Sequence, residues 1–122
     1  MSNNELFYKF LKTNSTIPIY YIEAKTSDKL YAILEQSGGD EDGLELCNSS
    51  GSTSTFLISV FSSSYTKGIN ERQNMKQLIK NSVGFTYKGL KIDLVKLLGE
   101  WDTEKLNNGL YSFNIEYEIK TS

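Results

Sequence analysis

Residues 111–120 alternate strictly between apolar and polar side chains. The apolar positions are Tyr111, Phe113, Ile115, Tyr117 and Ile119, and the polar positions between them are Ser112, Asn114, Glu116, Glu118 and Lys120. A period of two places every apolar side chain on one face of an extended strand. The pattern predicts a half-buried antiparallel strand, which requires a neighbouring strand and a layer that covers its apolar face.

Other segments of the chain show equally local patterns. Helical spacing of apolar residues predicts helices over about 3–13 and from Tyr65 to an end near 81–84, the second opened by a run of serines that can cap it. Branched and aromatic residues predict strands at 17–23, 30–35 and 55–61, and either one bent strand or a hairpin interrupted at Gly89 over 85–98. We expect the strand at 55–61 to be central and covered on both faces, and residues 102–109 to be a polar connection.

The order of these elements lacks the regular strand-helix-strand alternation of a parallel doubly wound sheet. We therefore expect an α+β fold, with a mostly antiparallel sheet of about four to six strands and two helices packed on one face. A chain of 122 residues is the usual size for one core, so residues 1–122 are predicted to form a single domain. Residues 38–54 are rich in Gly, Ser, Asn and acidic residues, and this composition predicts a flexible loop.

Charge and cysteine content limit the function classes that we expect. The 13 basic and 15 acidic residues include no basic cluster, which argues against sequence-specific nucleic-acid binding. No apolar run is long enough for a membrane span, and the first residues do not resemble a signal peptide. Cys47 is the single cysteine, so no internal disulfide can form.

The sequence offers little for catalysis. There is no histidine, and the neighbours of Cys47 carry no positive charge that would favour its thiolate. The acidic run at 40–45 does not fit a calcium-binding loop, because aligning Gly43 with the loop glycine places Gly38 at the first ligand position and Ser49 at the twelfth. We expect no catalytic residues, no metal site and no cofactor.

The chain has eight tyrosines, an excess that fits an interaction protein. Many of them are nevertheless expected to be amphipathic residues at the margin of the core.

Four segments, which together extend over nearly the whole chain, resemble those of a known protein family in their order. They are the N-terminal helix that runs into IPIYY at 17–21, the strand end LEQSGG at 34–39 with a flexible insertion after it, the strand TFLISVF at 55–61 that leads through serines into the Tyr65 helix, and the alternating strand at 111–120. In this order of elements the chain resembles the tail terminator (tail completion) proteins of long-tailed bacteriophages.

The resemblance implies a structural virion protein that assembles in the host cytoplasm and lies in the tail at the head-tail junction. It implies a homo-oligomeric ring, a hexamer, that caps the tail tube, stops its polymerisation and joins the tube to the head connector protein, with DNA passing through the ring. Asp40, Glu41, Asp42 and Glu45 are the candidate interface or lumen residues. As a hypothesis, their charge repels DNA in the lumen, and neutralising Asp40, Glu41 and Asp42 together without effect on infectivity would refute it.

Three alternatives stay open at this point. The first is another component of the head-tail connector, and the second is a small inhibitor or immunity-type protein that binds one toxin molecule. The third is an enzyme that uses a carboxylate pair, as glycosidases do, drawn from Asp93, Glu100, Asp102, Glu116 and Glu118. Glu116 and Glu118 lie on the polar face of a predicted strand, where solvated charge is the ordinary explanation.

Overall fold

The computed structural model describes residues 3–23, 29–39, 52–103, 106 and 109–122. In chain order the elements are α1 (Asn3–Asn14), β1 (Ile19–Tyr21), β2 (Leu30–Gly39), β3 (Ser52–Ser62), α2 (Tyr65–Lys80), β4 (Thr86–Tyr87), β5 (Leu90–Thr103) and β6 (Tyr111–Thr121). The strands form one sheet in the order β1-β2-β3-β6-β5-β4. Every strand pair is antiparallel except β1 with β2. The predicted α+β fold is confirmed.

Both helices lie on the same face of the sheet, which we call the inner face. The ring of Phe7 in α1 lies 4.9 Å from that of Phe56 in β3. Gly68 of α2 lies directly over Phe113 of β6, whose strand pairs with β3. The apolar positions of β6 point to this face and are buried from Phe113 to Ile119, as the alternation predicts.

The opposite, outer face of the sheet carries no helix among the described residues. The prediction that the strand at 55–61 is covered on both faces is therefore wrong. Its inner residues Phe56, Ile58 and Val60 are fully buried, whereas Leu57 and Phe61 on the outer face are partly exposed. The strand does lie near the middle of the sheet, between β2 and β6.

Three segments differ in length or shape from the strands that the sequence predicts, or decide between two predicted forms. β1 pairs in parallel with β2. It has three residues and ends at Tyr21, because the next residue, Ile22, has a left-handed φ of 71°. The 85–98 segment contains a hairpin and is not one bent strand. Gly89, with a φ of 88°, lies in its turn. β5 then continues to Thr103, into the segment expected to be a polar connection.

Both ends of the segment 38–54, predicted to be a flexible loop, belong to strands. Residues 38 and 39 belong to β2, and β3 begins at Ser52, because the two strands pair as far as Gly39 with Ser54. Residues 40–51 lie outside the described residues, so the flexibility of that segment stays a prediction. In the described part of the chain, no helix has the length and apolar character needed to cross a membrane.

Candidate interaction surface

One edge of the sheet is formed by β5 and is largely open. β5 pairs with β6 from Ile92 to Thr103, but among the described residues its other side pairs with β4 at Leu90 and Lys91 alone. Ile92 still exchanges backbone hydrogen bonds with Gly84 and Phe85. From Asp93 to Thr103, no strand of the described chain covers that side of β5, which leaves a row of backbone groups available to a partner.

This open edge also carries exposed apolar side chains. Leu94, Leu97, Leu98 and Trp101 each leave 39–51% of their surface accessible to solvent. Two register shifts, between Ile92 and Leu94 and between Leu97 and Gly99, interrupt the pairing with β6. We call Leu94, Lys96, Leu97, Leu98 and Trp101 the β5 edge. Clustered exposed apolar residues on a strand edge are typical of an interaction surface.

An ion-pair cluster holds β5 against α2 on the inner face. Arg72 is 13% exposed and binds two carboxylates of β5, with its Nε 3.4 Å from Oε2 of Glu100 and its Nη1 on Oδ1 of Asp102. Lys76 binds Oε1 of the same Glu100 at 2.8 Å. The guanidinium of Arg72 also lies 5.6 Å from the centre of the Phe113 ring. This cluster fixes the second half of β5 relative to the helix.

Tyr65 closes the cluster at the start of α2. Its hydroxyl donates a hydrogen bond to Oδ2 of Asp102 at 3.1 Å. This bond and the negative charge of Asp102 raise the pKa of Tyr65 above its usual 10.0, because both favour the neutral phenol. Asp102 therefore receives hydrogen bonds from both Arg72 and Tyr65.

A second network fixes β5 from the outer face. Asn114 of β6 is 6% exposed, and its Nδ2 donates to the carbonyl of Trp101 and to Oγ1 of Thr103, both at 3.3 Å. Its Oδ1 accepts from the hydroxyls of Ser59 at 2.7 Å and Ser112 at 3.1 Å. Every hydrogen-bonding site of the buried amide is thus used. β5 is thus held from the outer face at Trp101 and Thr103, and from the inner face at Glu100 and Asp102.

A groove runs between α2 and the β5 edge. It has a volume of about 330 Å³ and is lined by Gln73, Lys76, Gln77, Lys80, Val95, Leu97 and Tyr117. Tyr117 is almost fully buried at this position, and burial, followed by the charge of Glu100, raises the pKa of its hydroxyl. Lysines and glutamines of α2 form one side of the groove, and Val95, Leu97 and Tyr117 form the other.

Most tyrosines pack within the chain, as expected of residues at the margin of the core. Five of the eight are half-buried, two are buried, and Tyr65 is exposed. On the outer face Tyr31 stacks on Phe61 with ring centres 5.1 Å apart, and Tyr20 meets Tyr31 edge-on at 5.9 Å. Burial raises the pKa of Tyr31, and the neighbouring Tyr20 adds to this effect.

The predicted interface or lumen residues Asp40, Glu41, Asp42 and Glu45, and also Cys47, lie outside the described residues. Their role stays a prediction. Among the residues that the structure does describe, no group of three or more acidic or cysteine side chains is arranged to hold a metal ion.

Four of the five carboxylates considered for a catalytic pair, all except Glu118, have side-chain partners in the described chain. Glu100 and Asp102 are brought together, but both bind Arg72. Asp93 lies 3.7 Å from Nζ of Lys91, and Glu116 accepts a hydrogen bond from Ser37 at 2.8 Å. Ion pairing and hydrogen bonding account for the positions of these four groups.

The β5 edge was not predicted from the sequence. The one local sign of it is the pair Leu97-Leu98, which breaks the alternation of the strand and coincides with a register shift.

Solved structures of other proteins have the same fold as this chain. The sequence matches no protein-family model and no curated protein. Among solved structures, a chain of the virion of a native gene transfer agent particle has the same fold, with a TM-score of 0.65 and 10% sequence identity over 98% of this chain and 94% of that chain. A second solved structure matches with a TM-score of 0.54 and 10% identity, over 98% of this chain and 89% of its own. At these identities the likeness shows a shared fold.

Proposed function

We propose that this chain is a structural component of a phage-like virion and that it acts as the tail terminator. In this role it forms a ring that caps the tail tube, stops the polymerisation of the tube protein and joins the tube to the head connector. The observation that carries the proposal is the similarity of fold, over nearly the full length of both chains, to a chain of a gene transfer agent virion.

The geometry supports an assembly role. A strand edge with exposed apolar side chains is suited to protein contact, because burying apolar surface and pairing free backbone groups both favour association. The ion pairs of Arg72 on one face and the Asn114 network on the other hold this edge in place before any partner arrives. Preorganisation of this kind lowers the entropy lost on binding.

The terminator role implies defined partners. They are further copies of the chain, forming a hexamer, the tail tube protein on one side of the ring and the head connector protein on the other. The ring assembles in the host cytoplasm and remains in the virion at the head-tail junction. DNA passes through its lumen without sequence-specific contacts. We further propose that the chain is not an enzyme and uses no cofactor.

The test is electron microscopy of lysates in which the gene for this chain has been deleted from its source genome. The terminator role predicts tails of uncontrolled length beside separate DNA-filled heads, and restoration of normal particles by a plasmid copy. Tails of normal length that fail to join heads would instead indicate another connector component. Normal joined particles would contradict a virion role, and binding to a toxin would then be the function to test.

A further inference from the structure

The two edges of the sheet carry unlike but complementary surfaces. At one edge lies the β5 edge, with its four exposed apolar side chains. At the other edge lies β1, followed by Ile22 and Glu23, with β2 exposing Glu35 beside it. We define Ile22, Glu23 and Glu35 as the β1 edge.

Ile22 is an unusual residue in this position. Its side chain is 60% exposed, the highest value of any large apolar residue in the described chain, and its φ is 71°. A branched side chain in the left-handed region is strained, and such strain is concentrated at functional sites. The backbone N–H of Ile22 donates to the carbonyl of Leu34 at 2.8 Å, which holds the residue in place. An apolar side chain is thereby projected into solvent at the end of the β1 edge.

The charges at the two edges are also complementary. Lys96 and Glu35 both lie on the outer face of the sheet. Lys96 is opposite Glu118 of β6, and Glu35 is opposite Leu57 of β3. Both are exposed, and neither has an ion-pair partner among the described residues. Glu23 is likewise exposed and without such a partner. By contrast, the acidic residues of β5 are bound within the chain, Asp93 by Lys91 and the other two by α2.

The exposed apolar side chains of the β5 edge can supply the apolar part of a protein interface. Leu94 and Trp101 lie opposite Lys120 and Asn114 on the outer face, and Leu97 lies opposite Tyr117 on the inner face. A stable interface buries about 800 Å² on each partner, with the apolar part at its centre and a polar rim. Lys96 lies on that rim.

We propose that the β5 edge of one copy of this chain binds the β1 edge of the next copy. Because the two surfaces differ and lie at opposite edges of one sheet, the contact is head-to-tail, and repeating it closes a ring or extends a filament. Leu98 and Trp101 contact the region of Ile22, and Lys96 pairs with Glu35. This inference rests on the proposed ring and names the surfaces that build it.

Disulfide cross-linking of the purified full-length chain tests the contact. In a Cys47→Ser background, Ile22→Cys and Leu98→Cys are introduced singly and together, and the proteins are oxidised at high concentration. We expect the double variant to give a ladder of covalent oligomers and each single variant to remain monomeric on a denaturing gel. Circular dichroism and thermal melting check that every variant is folded. A covalent dimer from Leu98→Cys alone would show that two β5 edges meet, and that result would overturn the head-to-tail contact.

Reversing the charges of Lys96 and Glu35 tests the same contact by a second measurement, the strength of self-association. Lys96→Glu and Glu35→Lys should each weaken self-association, measured by sedimentation, by roughly threefold to fivefold at low salt, and the double exchange should restore it. Lys91→Glu, also on β5 but paired with Asp93, is the control. A double variant that does not cross-link, or single exchanges without effect, overturns the contact.

Failure of this inference is distinguishable from failure of the proposed function. The cross-linking experiment reports on self-association of the purified protein, whereas the deletion experiment reports on tails. Uncontrolled tails in the deletion, together with no cross-linking, would refute the head-to-tail contact and leave the terminator role intact.

Discussion

Gly68 of α2 lies directly on the ring of Phe113 in β6, so that a β-carbon at position 68 would stand 1.9 Å from Cε2 of that ring. Phe113 is fully buried. The centre of its ring lies 5.3 Å from the ring centre of Tyr65 and 5.6 Å from the guanidinium carbon of Arg72. A glycine in the first turns of a helix costs helix propensity, which here is offset by close packing of α2 on the sheet.

Replacing Gly68 with alanine should destabilise the protein by about 2 kcal/mol. The clash forces Phe113 or the helix to move, and this overpacking outweighs the roughly 1 kcal/mol gained in helix propensity. Urea denaturation measures the difference in the free energy of unfolding. Asn70→Ala, at an exposed position of the same helix, is the control and should change stability by less than about 0.5 kcal/mol. Equal or greater stability of Gly68→Ala would contradict the packing described.

Replacing Arg72 with alanine should cost about 2 kcal/mol of stability. The substitution leaves Glu100 and Asp102 with fewer counter-charges and removes packing on the Phe113 ring. Arg72→Lys should recover less than half of the loss, because an ammonium group cannot reach both carboxylates in the planar geometry of the guanidinium. The control Lys91→Ala breaks an exposed pair and should have almost no effect. Similar losses from the two alanine substitutions would argue against the cluster.

Asn114→Asp should make stability depend on pH below neutrality. A carboxylate at this buried position cannot donate to the carbonyl of Trp101 or to Thr103, so the charged form faces an acceptor oxygen. We expect a loss of about 3 kcal/mol at pH 7. This burial raises the pKa of the introduced carboxyl in the folded state, so stability should be regained as the pH falls and the group becomes protonated. Thermal melting across this pH range, with Asn114→Ala as the control, tests the effect, and a pH-independent loss in the aspartate variant would contradict it.

Alkaline pH should weaken the fold through its tyrosines. The pKa values of Tyr31, Tyr65 and Tyr117 are all raised above 10.0 in the folded protein. A raised pKa means that the neutral hydroxyl is favoured by folding, so its stabilisation is complete below the unfolded pKa and is lost as the pH rises through the folded one. The free energy of unfolding should therefore fall above about pH 10. Tyr117→Phe should show a shallower fall than the wild type, and identical slopes would refute the role of this hydroxyl.

Local patterns were sufficient to predict several elements, because their causes are local. The period-two alternation of β6 reflects one buried face, and Ser64 caps α2 by accepting the backbone N–H of Lys67 at 3.3 Å. Gly89 marks the hairpin because the turn there needs a positive φ.

Features that depend on distant contacts were not predictable in the same way. Asn114 occupies a polar position of an alternating strand, yet it is buried, because Ser59, Trp101 and Thr103 from neighbouring strands surround it. The parallel pairing of β1 and the open side of β5 are set by the order of strands in the sheet. No spacing within 90–103 indicates which side of that strand has a partner.

In the proposed role, this chain forms the ring at the head-proximal end of a tail tube. A cryo-electron microscopy reconstruction of the particles made by the genome that encodes the chain would test this placement. We predict density for a single ring of this fold, with sixfold symmetry, between the last ring of tube protein and the head connector. Particles that contain no copy of the chain, or that carry it away from the head-tail junction, would contradict the claim.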